Sequence, residues 1–479
     1  MKNEEAKQLY LLARYGDVRG FKREGEFLME PHQEIPGVFI RTDEDSEYIN
    51  KVLKGYHLFR QASMKKLQQW FSSVDHPRFE LLTPSKMKTG VISFRNGYLD
   101  LTSMLFHSWN DVKTPPLTNH YFEQTMELSA AMNAPTPLWD NLLETQLGKR
   151  SVSFEEGTEL SMCDMLEVLI GRLFYPIGEH DNWQVMPFLK GDANTGKGTV
   201  CDLIKRMFPT GTTGVITATQ EQTFGLEALF SKRVAIIPDL PTKFSKIINQ
   251  SDFQSMVSGE GVSIARKNKT AISDQAWKVP ILGAGNYLPD YNDNSGSISR
   301  RLVVFPFATL VTSRDTTLKE QIVKTELVTV ILRSIARYRL VCDRYKSLDF
   351  WTKIAPPSLR EVQREVKEAT NYLANFLVNG DDYYQILYVK GQTTPMDHLE
   401  KAFSNHMRFK HKVEKAKIGQ DKHPIKAAGF TIERVNLCKT CNQKASKDAC
   451  GEHYSAKNRY KKQVIHSMVI KVLRECGKF

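Results

Sequence analysis

The sequence predicts an α/β fold, on three observations. Apolar runs of strand length recur at residues 186–190, 232–239 and 279–286, and stretches with helical spacing separate them. The first run passes through a glycine-rich loop directly into a helix-spaced segment, residues 200–207. The second and third runs end on a polar side chain, Asp239 and Asn286. Strands alternating with helices imply a layered domain around a mostly parallel sheet.

Residues 1–60 form an N-terminal extension of mixed charged and apolar positions. Asp43, Glu44 and Asp45 lie there in a polar stretch. Such a carboxylate cluster can hold a metal for nucleotidyl transfer, but a solvated loop is the ordinary reading, and the segment is short for a polymerising domain. Residues 61–183 read as a mostly helical module. It includes a hairpin at residues 94–101 turning at Asn96-Gly97, and leucine-spaced helices over residues 136–180.

The core is expected over residues 184–312. Its loop is Gly191, Asp192, Ala193, Asn194, Thr195, Gly196, Lys197, Gly198 and Thr199. Strand, glycine loop and helix are the context of a phosphate-binding loop. Gly191 and Gly196 let the backbone curl so that N–H groups point inward. The helix adds its positive end, and Lys197 reaches the terminal phosphates as a point charge. Gly198 stands where a hydroxyl residue usually follows the lysine, so Thr199 is the nearest hydroxyl for a magnesium shell.

Hydrolysis of a triphosphate needs more than this loop. Asp239 fits the acid that holds the metal or orients water, although Pro238 takes the place of a second acid. Asn286 fits a group that polarises water or senses the γ-phosphate. Taken singly, both residue types are also common in turns. Arg300 and Arg301 precede the strand at residues 302–307, where one of them can reach another subunit's site; Arg301 is slightly favoured. Residues 259–270 read as a small hairpin with Arg266, Lys267 and Lys269 at its tip, suited to sequence-independent phosphate contacts.

A helix over residues 317–344 and another over 359–378 span the connector, residues 313–375. Residues 376–479 then give a helix near 398–406, a strand at 430–435 and a strand at 463–473, which suggests a winged-helix module. Its residues 381–479 hold 20 Lys and Arg against 10 Asp and Glu, so most of the chain's net charge of +12 lies here. The excess suits a polyanionic partner. Cys438, Cys441, Cys450 and His453 have the spacing of one tetrahedral zinc site in the loop between the arms of the wing, with His466 or His423 as alternative fourth ligands.

The other four cysteines are scattered, which argues for reduced thiols and a reducing, intracellular compartment. No apolar run approaches the ~18 residues of a transmembrane helix, and the first residues do not resemble a signal peptide. A membrane partner is therefore not expected.

As an ordered set, these motifs resemble the superfamily 3 helicases, in the branch of the poxvirus-type primase–helicases and the phage and plasmid primase family. The resemblance covers residues 60–479 and departs from the pattern at Gly198 and Pro238, and no primase is recognisable. It implies an AAA+-like core behind a collar-type module. It also implies ATP with Mg2+, a homohexameric ring, and 3′-to-5′ translocation on single-stranded DNA. The expected function is a replicative DNA helicase of a virus, phage or plasmid, acting on single-stranded and forked DNA beside a separate primase or polymerase, in the host cytoplasm or at a viral replication site. Two alternatives remain open: a ring ATPase that packages or remodels without unwinding, and an origin-binding protein with a degenerate nucleotide site.

Overall fold

The computed structural model describes residues 22–24, 27–41, 88, 90–151, 159–217, 225–264, 272–291, 293, 296–313, 315–345, 347–370, 372–411, 418, 425–426, 428, 430–438 and 459–472. Two antiparallel sheets come first. One holds β1 (Lys22–Glu24), β2 (Phe27–Pro31) and β3 (Phe39–Arg41). The other holds β4 (Val91–Phe94), β5 (Gly97–Asp100) and β6 (Leu105–Ser108).

The hairpin expected at residues 94–101 is present, but its turn lies one residue earlier. Phe94 pairs with Gly97, so Arg95 and Asn96 make the turn. Gly97 serves close packing: a Cβ there would sit 2.2 Å from the His107 carbonyl oxygen and 2.7 Å from the Phe106 ring. Asn96 donates to the Met126 carbonyl and accepts from the Met126 N–H, each at 2.7 Å, which ties the turn to the chain entering the helices.

Those helices are α1 (Leu128–Asn133), α2 (Pro137–Leu147) and α3 (Met162–Arg172). A reciprocal capping box starts α3, with the Ser161 hydroxyl accepting from the Asp164 N–H and the Asp164 carboxylate accepting from the Ser161 N–H.

The central unit runs β7 (Met186–Lys190), α4 (Lys197–Arg206), β8 (Thr213–Val215), α5 (Gly225–Phe230), β9 (Val234–Ile237) and α6 (Gln250–Ser258). It continues through the hairpin β10 (Gly261–Ile264) and β11 (Ile272–Ala276) to β12 (Ile281–Gly285) and β13 (Leu302–Pro306). Five of these strands form one sheet in the order β13-β7-β12-β9-β8, and every neighbouring pair is parallel. Alternate residues feed two cores on opposite faces. Val234, Ile236, Leu282, Ala284, Val303 and Phe305 enter one core. Ala235, Ile237, Ile281, Leu302, Val304 and Phe188 enter the other. A strand buried on both faces reads as a continuous apolar run, which is why these strands could be recognised in the sequence.

The single helix expected over residues 317–344 is two helices, α7 (Leu318–Thr325) and α8 (Leu327–Tyr345). Glu326, between them, has a local purpose. Its carboxylate accepts the Leu138 and Trp139 N–H groups at 3.0 and 2.8 Å, satisfying the open amino end of α2. Charge locks α8 to α3. The fully buried Glu167 accepts from Arg333 and Arg337 of α8, from Arg150, and from the Trp139 indole, at 2.6 to 3.1 Å. The first core runs without a break from Phe94 and Leu99 through α3 and α4 to α8, across the division expected at residues 183 and 184.

After α9 (Pro357–Thr370) and α10 (Tyr372–Asn379) come β14 (Tyr384–Pro395), α11 (Met396–His411), β15 (Thr431–Cys438) and β16 (Arg459–Val472). The strands form an antiparallel sheet, β14-β16-β15. Leu373, Phe376, Leu399, Phe403, Ile465 and Met468 give this part a core of its own. The long strand β14 was not expected from the sequence. No helix among the described residues is long and apolar enough to cross a membrane.

Candidate functional site

The site is built at the carboxyl edge of the parallel sheet, where crevices between strand ends accept ligands in open α/β folds. β7 delivers the chain there, and residues 191–196 curl before α4 begins. Gly191 lies hard against the continuation of β13: a Cβ would come within 1.9 Å of the Phe307 carbonyl oxygen. Its N–H donates to the Gly285 carbonyl at 3.2 Å, and the Phe307 N–H donates to the Lys190 carbonyl at 2.6 Å.

Asn194 (φ +64°) and Gly196 (φ +88°) are left-handed, and they turn the loop back into the helix. The Thr195 hydroxyl donates to the Asp192 carbonyl at 2.8 Å across the loop. The Val311 N–H donates to the Asn194 carbonyl at 2.9 Å, and Gln146 of α2 bonds both ways to the Thr309 backbone. The loop is therefore clamped from outside, while Asp192, Ala193 and Asn194 remain exposed.

Lys197 opens α4 and is buried, 9% exposed. Its ammonium donates to the Gly191 and Asp192 carbonyls, both at 2.6 Å, and lies 3.4 Å from the Thr195 hydroxyl. Burial pulls its pKa below the ordinary lysine value, and the nearby Asp239 and Asp192 carboxylates oppose that shift. Lys197 and Asp239 therefore share one electrostatic neighbourhood. Gly198 is exposed, and an added Cβ would have nothing within 4 Å. Thr199 is half-buried on the same first turn.

The other expected groups at this edge are in register with the loop. Gly285 pairs with Lys190, so Asn286 leaves β12 beside Gly191. Ile237 pairs with Gly283, and the Leu240 N–H donates to the Ala284 carbonyl at 2.8 Å, which holds Asp239 at the end of β12. Both Asp239 and Asn286 are exposed.

The arginine pair lies elsewhere. Arg300 and Arg301 end a 3-10 turn, Ser299–Arg301, that enters β13 at its amino end. Leu302 pairs with Met186 and Pro306 with Lys190, so within one chain the pair sits a strand length from the loop, roughly 16 Å. The two side chains differ. Arg300 is exposed. Arg301, favoured in the sequence reading, is buried at 4% and turned inward onto Ser258 and the Ser297 carbonyl. Burial and the neighbouring Arg300 charge hold its guanidinium below its ordinary pKa.

Asp293, not singled out from the sequence, is fully buried, and its carboxylate accepts the Ile298 and Ser299 N–H groups at 2.8 and 2.6 Å. An acid ahead of a Ser-rich stretch is a turn-capping signal that could have marked it.

The hairpin expected over residues 259–270 is present but longer, with β10 and β11 spanning residues 261–276, while Arg266, Lys267 and Lys269 lie outside the described residues. Cys441, Cys450 and His453 also lie outside them, and Cys438 ends β15. Among the described residues no group of three or more His, Cys, Asp and Glu side chains could hold a metal.

A sequence family of unknown function, DUF5906, matches residues 189–301, from the end of β7 to the arginine pair and less than half of the chain. Among solved structures, the A-form apo structure of the NrS-1 C-terminal region is similar at 12% identity and a TM-score of 0.42, over 95% of this chain and 99% of that one. The A-form apo structure of its 305–718 segment is similar at 12% identity and a TM-score of 0.38, over 77% of this chain and 78% of that one. A further apo structure of the 305–718 segment is similar at 12% identity and 0.40, over 78% of this chain and 79% of that one.

Proposed function

We propose that the chain is an ATP-driven DNA motor of replication, a ring helicase that moves along single-stranded DNA. One observation carries the reading. A curled glycine loop wraps the buried Lys197 at the start of α4, with Asn286 on the adjacent strand end and Asp239 on the next.

The residues fit a nucleoside triphosphate with magnesium. Loop N–H groups and the amino end of α4 would take the phosphates. Lys197, already held toward the loop by two carbonyls, would exchange those contacts for phosphate oxygens. Asp239 would hold the ion or orient water, Thr199 would supply the nearest hydroxyl, and Asn286 would orient the attacking water. The ion neutralises charge that develops on the phosphates. The open space at Gly198 leaves room for the ion's own water shell. Arg300, exposed and a strand length away, would serve a neighbouring copy's nucleotide.

The zinc reading concerns the 439–458 loop. Cys438 pairs with Arg459, so the two ends of that stretch meet across β15 and β16. Zinc there would staple a polar loop. Metal analysis of freshly purified protein should give one zinc per chain, and a metal-free protein would end that part of the reading.

The deciding assay is unwinding of forked DNA by the wild type and by Lys197→Ala. The wild type should displace a strand with ATP, and the variant should lose hydrolysis by about a hundredfold or more. Hydrolysis without displacement would favour a packaging or remodelling motor. No hydrolysis by the wild type would leave an origin-binding protein.

A further inference from the structure

The turn that carries the arginine pair is bound on every side. Asp293 holds its backbone N–H groups. Gln363 donates to the Ser299 carbonyl at 2.5 Å, and the Trp351 indole donates to the Arg300 carbonyl at 2.6 Å. Two further links run to α6. Gln254 donates to the Ser297 hydroxyl at 2.8 Å, and Arg301 places Nε at 3.1 Å and Nη2 at 2.9 Å from the Ser258 hydroxyl.

Ser258 is the last residue of α6. Gly259 (φ +74°) and Glu260 are all that separate it from β10. This junction is rigid: the Glu260 N–H donates to the Ser255 carbonyl at 2.9 Å, the Trp277 N–H to the Glu260 carbonyl at 3.0 Å, and Trp277 is completely buried. Gly261 then pairs with Ala276.

We propose that Arg301 is a positioning residue that ties the arginine turn to the root of the β10–β11 hairpin through Ser258, so that movement of one moves the other. Its hydrogen bonds go to neutral oxygens, and only the charges of the nearby Glu260 and Asp293 oppose the cost of its burial. A planar guanidinium can grip one hydroxyl with two N–H groups while a third reaches the Ser297 carbonyl, which a lysine cannot do. Arg300 is then the one arginine of the pair left to face outward. In the motor reading, on which this inference rests, the tie is the path by which nucleotide state at the neighbouring copy reaches the element that grips DNA.

The test uses the full chain and measures ATP hydrolysis with and without a single-stranded oligonucleotide. Ser258→Ala removes the acceptor and leaves the phosphate loop untouched. Its basal rate should stay within about twofold of wild type, while stimulation by DNA falls about tenfold. Ser258→Thr keeps the hydroxyl and should restore stimulation. Arg301→Lys should likewise lose stimulation by DNA. Wild-type stimulation in Ser258→Ala overturns the tie while leaving the motor reading intact. Equal loss in Ser258→Ala and Ser258→Thr, basal rate included, marks a merely structural residue and also overturns it. No hydrolysis in the wild type overturns both.

Discussion

Gly198 and Gly196 are two residues apart and place opposite demands on a side chain. Nothing lies within 4 Å of a Cβ at Gly198, and the residue is already helical. Gly198→Ala should therefore raise stability by about 0.5–1 kcal/mol, by restricting the unfolded chain, and show as a higher thermal midpoint. Gly196 holds φ at +88°, so Gly196→Ala should lower stability by the ~1–2 kcal/mol of a left-handed residue with a Cβ and show as a lower thermal midpoint.

His120 gives a residue-scale response to acid. Its Nε2 lies 3.0 Å from the Met207 carbonyl just past α4, and its ring stacks on Phe174 and Phe208. Burial, helped by the Arg233 charge, pushes its pKa from 6.5 down to about 3. The unfolded chain therefore binds the proton first. Stability is complete above pH 6.5 and is lost as pH falls toward 3, by up to about 1.4 kcal/mol per pH unit from this group. His120→Gln should flatten that slope in acid titrations followed by circular dichroism.

The α3–α8 lock is an element-scale device. Glu167→Gln would leave the half-buried Arg333 and Arg337 short of one carboxylate within a buried network, and should cost about 3–5 kcal/mol, read as a lower urea midpoint. The sequence showed elements with a local signature and missed those without one. β7, β9, β12 and β13 stand out because burial on both faces demands unbroken apolar runs. The three-residue β8 has no room for a pattern, and β14 carries Lys390 and Gly391 inside it. The break at Glu326 has no glycine or proline to announce it, because its cause is the distant amino end of α2. The inward turn of Arg301 is equally non-local, since Ser258 lies 43 residues away. The loop and the acid and amide ends of β9 and β12 were legible because each follows directly from a strand.

At the scale of the molecule, the parallel register has a consequence. Lys197 stands at one pole of the sheet and Arg300 at the other, so no single chain can bring them to the same phosphate. For the proposed motor, two dead proteins should therefore rescue each other. Lys197→Ala and Arg300→Ala, each inactive alone, should regain hydrolysis on mixing, at about a quarter of the wild-type level when subunits assort at random. Specific activity of the wild type should likewise collapse on dilution below the concentration at which copies associate. If the chain is the proposed motor, a catalyst divided in this way would work only in company, and assembly itself would become its on-switch.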